Sequence, residues 1–175
     1  MLRRLKRLNL GDGLAERTAT RCLGELARQI EQLNRRIARL DRELAGLLKR
    51  HGDPVGDLPG VGPAVAVALV AHAGDVRRFK SKAAFARFCG VAPIPCGSGK
   101  TARHRLHRGG NRQLNAALHR MAVVQARVDP RARAYLDRKQ AEGKTRREAR
   151  RALKRHLANV VYRALIADTE ASALT

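Results

Sequence analysis

Between Phe88 and Asn115 the chain reads FCGVAPIPCGSGKTARHRLHRGGNRQLN, with a flexible Cys96-Gly97-Ser98-Gly99 turn at its centre. Lys100, Arg103, Arg105, Arg108 and Arg112 follow within the stretch, Arg120 lies just beyond it, and no carboxylate interrupts them. A hydroxyl on a glycine-flanked turn facing an arginine cluster is chemistry suited to phosphate. Glycine lets backbone approach a bulky anion closely, and guanidinium groups grip phosphate oxygens bidentately.

Four readings of the turn compete. Gly99-Lys100-Thr101 suggests a nucleotide-binding P-loop, but Ile94 stands where that motif needs glycine and no βαβ context surrounds it. Cys89, Cys96, His104 and His107 are four potential zinc ligands without the usual C-x₂₋₄-C spacing. A structural basic loop is the plainest reading. In the fourth, Ser98 is a nucleophile for a phosphodiester, needing a base or metal to activate it. His104, His107 and His119 are the candidate bases, and Arg103, Arg105 and Arg112 would balance charge on the pentacovalent transition state. Spacing alone does not lift this reading above the structural loop.

The composition narrows the partner. The 175 residues carry 37 Lys+Arg against 15 Asp+Glu, a formal charge of +22. Such a surplus calls for a polyanion, with nucleic acid the leading candidate. From Val76 to Val128 there are twelve Lys/Arg and no acid, whereas a solvated face normally mixes signs. Five aromatics (Phe79, Phe85, Phe88, Tyr135, Tyr162) are too few for base stacking as the main binding mode. No apolar run approaches the ~20 residues of a membrane-spanning helix, and Met1–Leu10 lacks the apolar core of a signal peptide. The three cysteines are irregularly spaced, as suits reduced thiols in a cytosol.

The elements that must position this chemistry read as helices, and the expected fold is all-α. A basic lead ends at Gly11-Asp12-Gly13. Leu23, Leu26, Ile30, Leu33, Ile37, Leu40, Leu44 and Leu47 then alternate three- and four-residue steps, the period of a coiled coil. Residues 1–50 are therefore expected to form a lead and a coiled-coil helix, and 58–168 a compact helical domain. A short linker, 51–57, joins them. Leu58-Pro59-Gly60-Val61-Gly62-Pro63 has the pattern of a helix-hairpin-helix over about 58–73, which would aim backbone N–H groups at DNA. Ser81 is expected to cap a helix to Cys89, followed by the catalytic-type loop at about 91–110 and helices at about 111–128 and 131–142. Thr145-Arg146-Arg147-Glu148 is a capping box. The last helix turns Ala149, Ala152, Leu153, Leu157, Val160, Val161 and Leu165 inward. Its Arg146, Arg147, Arg150, Arg151, Lys154 and Arg155 are expected on the wet or DNA-facing side. No segment reads as a strand.

From Leu58 to Leu165 the chain resembles the C-terminal transposase domain of the RuvC-like, DEDD-type insertion-sequence transposases, relatives of the Piv invertase and of bridge-RNA-guided recombinases. The resemblance rests on LPGVGPAVAVALVAHAGDVRRFKS, on FARFCGVAPIPCGSGKTARHRLHRGGNRQLNAALH and on YLDRKQAEGKTRREARRALKRHLANVVYRAL. The heptad segment resembles the coiled coil joining the two halves of such proteins. The resemblance implies a recombinase whose serine becomes covalently joined to DNA, within a synaptic assembly of several subunits. Ser98 aligns with the family's small-Ser-Ser-Gly turn, although Gly97 replaces the first serine of the pair.

The family's RuvC-like domain and its four carboxylates have no counterpart here, so Mg2+ is expected only with that absent domain and no cofactor in this chain. Met1 accordingly reads as the start of a truncated or split version that binds DNA without completing transposition alone. DNA contacts are expected from Gly60, Gly62, Lys100, Arg108, Asn111, Arg112, Arg150 and Lys154. Expected partners are DNA (transposon ends and target), a structured guide RNA, and further copies of the chain joined by the coiled coil as a dimer or a synaptic tetramer. No membrane is expected, and the location is cytoplasmic, at the nucleoid. The alternative is a non-enzymatic nucleic-acid-binding module dimerised by its coiled coil.

Overall fold

A computed structural model describes residues 9–96, 103–105, 107 and 109–173. Among these residues six helices dominate: α1 (Leu14–His51), α2 (Pro63–Ala73), α3 (Lys82–Phe88), α4 (Arg112–Val128), α5 (Pro130–Ala141) and α6 (Arg146–Ala173). A 3₁₀ turn at Val76–Arg78 precedes α3. Strands β1 (Ile94–Cys96) and β2 (Arg103–Arg105) lie between α3 and α4. The all-α expectation holds, with this small antiparallel hairpin added.

Two compact units divide the chain, Met1–Gly46 and Leu47–Thr175. In the first, α1 displays the heptad stripe: Leu26, Ile30, Leu33, Ile37 and Leu40 are each between 43% and 57% exposed. So much apolar surface on one face of a helix is unusual for a side that meets only water.

The second unit is built on α4, which packs against α2, α5 and α6. Leu114, Ala117, Leu118 and Met121 are its fully buried seam, joined by Leu69 of α2, Phe85 of α3 and Val161 of α6. Val124, three residues beyond Met121, is 40% exposed. Val55, in the stretch read as a linker, is completely buried in this core. Phe79 meets Phe85 edge-on at 5.2 Å and Phe88 at 5.1 Å, and Phe85 lies 5.6 Å from Tyr162. The Tyr162 hydroxyl donates to Phe79 O at 3.2 Å. Four of the five aromatics are thus occupied in packing.

Local chemistry sets the helix boundaries. Pro63 opens α2 at a position where its missing N–H costs nothing. Ser81 Oγ accepts from Ala84 N, capping α3. Asp129 accepts from Arg131 N ahead of Pro130. Thr145 and Glu148 form the expected reciprocal box, the hydroxyl accepting from Glu148 N and the carboxylate accepting from Thr145 N and Oγ1. Residues 52–62 form turns rather than a short helix. The first helix of a helix-hairpin-helix is therefore missing immediately before Gly60. Among the described residues, no helix is long and apolar enough to cross a membrane.

Candidate nucleic-acid interface

The hairpin grows from a tightly stapled root. Gly90, at φ +68°, turns the chain after α3, and Val91 N and Ala92 N both donate to Ala86 O. On the returning side Asn111 N donates to Phe88 O at 2.7 Å. Gly90 and Gly110 cross so closely that a Cβ on Gly110 would stand 2.2 Å from Gly90 N and 2.3 Å from its Cα. Only hydrogen fits there. Asn115, one turn into α4, completes the staple: its Nδ2 donates to Cys89 O and Gly90 O at 3.1 and 3.0 Å.

From this root β1 and β2 pair with Ile94 opposite Arg105, Pro95 opposite His104 and Cys96 opposite Arg103. The segment joining Cys96 to Arg103 carries Ser98 and Lys100, which lie outside the described residues, as does Arg108. Arg103 is placed on β2 by its backbone. His104 and Arg105 are exposed on the same strand and border a cleft of about 710 Å³ with His107.

The other expected contacts divide. Arg112 is exposed on the first turn of α4, and Arg150 is half-buried on α6. Asn111 is engaged in capping, its Oδ1 accepting from Gln113 N and Leu114 N, both at 3.0 Å. Gly62 stands in open space at the start of α2. Gly60 does not: at φ +79° it faces α4, where a Cβ would meet Met121 O and Val124 at 3.2 Å. Gln125 holds that turn by donating to Pro59 O at 2.6 Å. Lys154 is a correction, because it is only 7% exposed rather than on the wet side of α6. Its Nζ donates to Asn115 Oδ1 at 2.5 Å, across 39 residues of sequence.

Charge in this region is unevenly balanced. Arg77 pairs with Asp75 through two nitrogens, which holds that carboxyl below its usual range. Arg78 stacks between Phe79 and Phe88, 4.6 Å from each ring. Both are structural. His119 is held below the usual histidine range by partial burial, then by Lys154 and Arg150, so its neutral, proton-accepting form is favoured. Cys89 is fully buried and its thiol is pushed up to about 12 by that burial. It packs as a core thiol. Among the described residues no group of three or more His, Cys, Asp or Glu could hold a metal ion. The Mg2+ expected with a RuvC-like domain thus has no ligand set among them.

Sequence reasoning missed Asn115, Lys139, Lys144 and Tyr135, which border or organise the cleft. The one signal for Asn115 was an amide set among the buried Leu114, Ala117 and Leu118.

The glycine-rooted hairpin is thus presented by a helical, arginine-rich unit. Residues 53–137 match the Transposase IS116/IS110/IS902 family, and the chain carries a C-terminal transposase domain of that family. It is similar to the insertion element IS110 uncharacterized 43.6 kDa protein of Streptomyces coelicolor, 36% identical over 78% of this chain and 35% of that protein. It is also similar to the insertion element IS900 uncharacterized 42 kDa protein of Mycobacterium paratuberculosis, 32% identical over 84% of this chain and 38% of that one. The IS116 protein of Streptomyces clavuligerus is 28% identical over 84% and 38% respectively. The chain thus spans little more than a third of the length of these relatives.

Proposed function

We propose that this chain binds DNA in insertion-sequence transposition and presents Ser98, on the segment joining β1 to β2, as the nucleophile toward a phosphodiester when a RuvC-like domain complements it. The observation that carries the reading is the stapled hairpin root inside a 53-residue span without one acid. A rigid base fixes where the joining segment emerges, and the surrounding cations hold the sugar-phosphate chain against it. In the step itself the Ser98 hydroxyl gives its proton to a base, with His104 the candidate, as the Oγ–P bond forms. The bond from phosphorus to the leaving sugar oxygen breaks, and that oxygen takes up a proton. Arg103 and Arg105 offset the added negative charge at phosphorus.

A second copy of the chain covers the exposed heptad stripe of α1 in this reading, giving the dimer from which a synapse is assembled. Isoleucine in one heptad set and leucine in the other suits a parallel two-stranded coil. A structured guide RNA would meet the same basic surface.

The test is incubation of the full chain, with and without a supplied RuvC-like domain, with labelled, nicked terminal DNA. A covalent adduct abolished by Ser98→Ala is expected. Binding without any adduct favours the second reading, a non-enzymatic DNA-binding module, which Gly97 in the first position of the serine pair supports. Either reading requires log affinity to fall with log salt by about 0.9 for each phosphate neutralised. Salt-insensitive association would sink both.

A further inference from the structure

We propose that the cleft between the hairpin root, the α5–α6 turn and α6 is a binding site for one phosphate group, with Lys154 Nζ as its innermost donor. For the source of that phosphate the inference rests on the DNA-binding reading above.

Lys154 is an anomaly in the fold. Lysine is almost never this buried without a partner of opposite charge, yet among the described residues no carboxylate lies within ion-pair distance of it. Its hydrogen-bond partner is the neutral oxygen of Asn115. An ammonium has three donors, so an acceptor is wanted for the rest. Burial pushes the ammonium below the usual lysine range, a penalty that an anion alongside would relieve.

The surroundings supply a built site rather than a stray cation. Asn115 cannot turn away, because its Nδ2 is engaged with Cys89 O and Gly90 O; the staple that fixes the hairpin root also aims Nζ. His107 borders the same cleft and its Nδ1 is buried without a hydrogen-bond partner among the described residues. Among the described residues six Lys/Arg line the cleft against two carboxylates, and both carboxylates are engaged. Glu142 takes Lys139 Nζ at 2.7 Å, and Glu148 takes the Thr145 hydroxyl at 2.7 Å and Arg151 at 3.7 Å. Arg105 and Lys144 have no such partner among the described residues, and Arg155 donates to the neutral Asn159 Oδ1. At about 710 Å³ the cleft falls in the range of small-ligand pockets, roughly 300–1,000 Å³. A phosphate attached to a nucleoside therefore fits as well as a free one.

Amide NMR of the full wild-type chain titrated with inorganic phosphate, and separately with a 5′-mononucleotide, tests this without relying on a variant. Shifts centred on Gly90, Val91 and the Asn115 side-chain amide are expected. Lys154→Met, close to isosteric, should abolish them while melting as a folded protein. It should also weaken duplex DNA binding roughly tenfold or more, and lower the salt slope by about one. Tighter mononucleotide than phosphate binding assigns the site to a nucleic-acid chain; equal binding assigns it to free phosphate. Shifts elsewhere, or shifts that survive Lys154→Met, overturn the proposal. Unchanged DNA affinity and slope in the variant, with the phosphate shifts lost, would overturn DNA as the source of the phosphate while keeping the site, and would leave the DNA-binding reading intact. Conversely, phosphate binding in the cleft of a chain that ignores DNA would sink the transposition reading and keep the site.

Discussion

Substituting Gly110 by alanine tests the stapled root directly. The added Cβ would stand 2.2 Å from Gly90 N, 2.3 Å from Gly90 Cα and 2.9 Å from Phe88 O. All three are backbone atoms of the α3 exit, so no flexible side chain can step aside. Relief requires the α3 exit and the α4 entry to separate, which stretches the 2.7 Å bond from Asn111 N to Phe88 O. Overpacking costs about 1–3 kcal/mol, and a weakened buried hydrogen bond adds about 1 kcal/mol, for a total of about 3 kcal/mol. With a urea m-value of about 2 kcal/mol/M, the unfolding midpoint should fall by about 1.5 M. Gly62→Ala is the control: its φ is −94° and a Cβ there meets nothing within 4 Å. It should shift stability by less than about 0.5 kcal/mol. Urea unfolding followed by far-UV circular dichroism reads both. A Gly110→Ala midpoint within about 0.3 M of wild type would mean that the two glycines do not cross as described.

Ile30→Lys or Leu33→Lys should weaken self-association by roughly a hundredfold or more, because each copy loses about 1.5–3 kcal/mol of apolar burial; sedimentation velocity over a concentration series decides, and a wild-type monomer throughout would refute it. Asn111→Ala removes the oxygen that caps Gln113 N and Leu114 N and should cost about 1 kcal/mol, read as a lower melting temperature. For His119 the folded pKa lies below the ordinary histidine value of 6.5, so the unfolded chain protonates first as pH falls. Stability should therefore be full above that value and decline on acidification from it toward the folded pKa. Melting temperatures from about pH 8 to about pH 5 should decline less steeply in His119→Gln, and an identical decline would count against the placement of His119 beside Lys154 and Arg150.

Much of the helical frame was legible because local rules dictate it. The heptad steps from Leu23 to Leu47, Pro63 at a first helical position, Ser81 as a cap and the Thr145–Glu148 box all act within a few residues, and each appears where its chemistry requires. The hairpin was not legible. Ile94-Pro95-Cys96 contains a proline and Arg103-His104-Arg105 is wholly polar, so neither shows alternation. These strands exist because the crossing at Gly90 and Gly110 brings two chain segments side by side. Lys154 was misplaced for a related reason. Helical spacing groups it with the exposed arginines of α6, while the amide that receives it sits 39 residues earlier on α4. Ser98, Lys100 and Arg108 are nucleophile and contact assignments on which the described residues do not bear.

The buried lysine and the surplus charge pose the same physical question. Described ion pairs such as Arg39–Glu43 and Lys139–Glu142 lie at the surface, where each contributes little, and the net +22, which remains after every acid is counted, is left to repel itself. A polyanion would lower that repulsion, but it would do so in the unfolded chain as well, since the count of positive charges is the same there. Ligand binding raises the stability of the native state only through preferential affinity for it. A rise in melting temperature on adding nucleic acid would therefore measure preorganisation rather than charge: the Asn115-aimed Lys154, the unpaired His107 nitrogen and the rigid hairpin root, none of which survives unfolding. Loss of that rise in Lys154→Met, with the charge of the chain changed by only one, would locate the preference in the cleft.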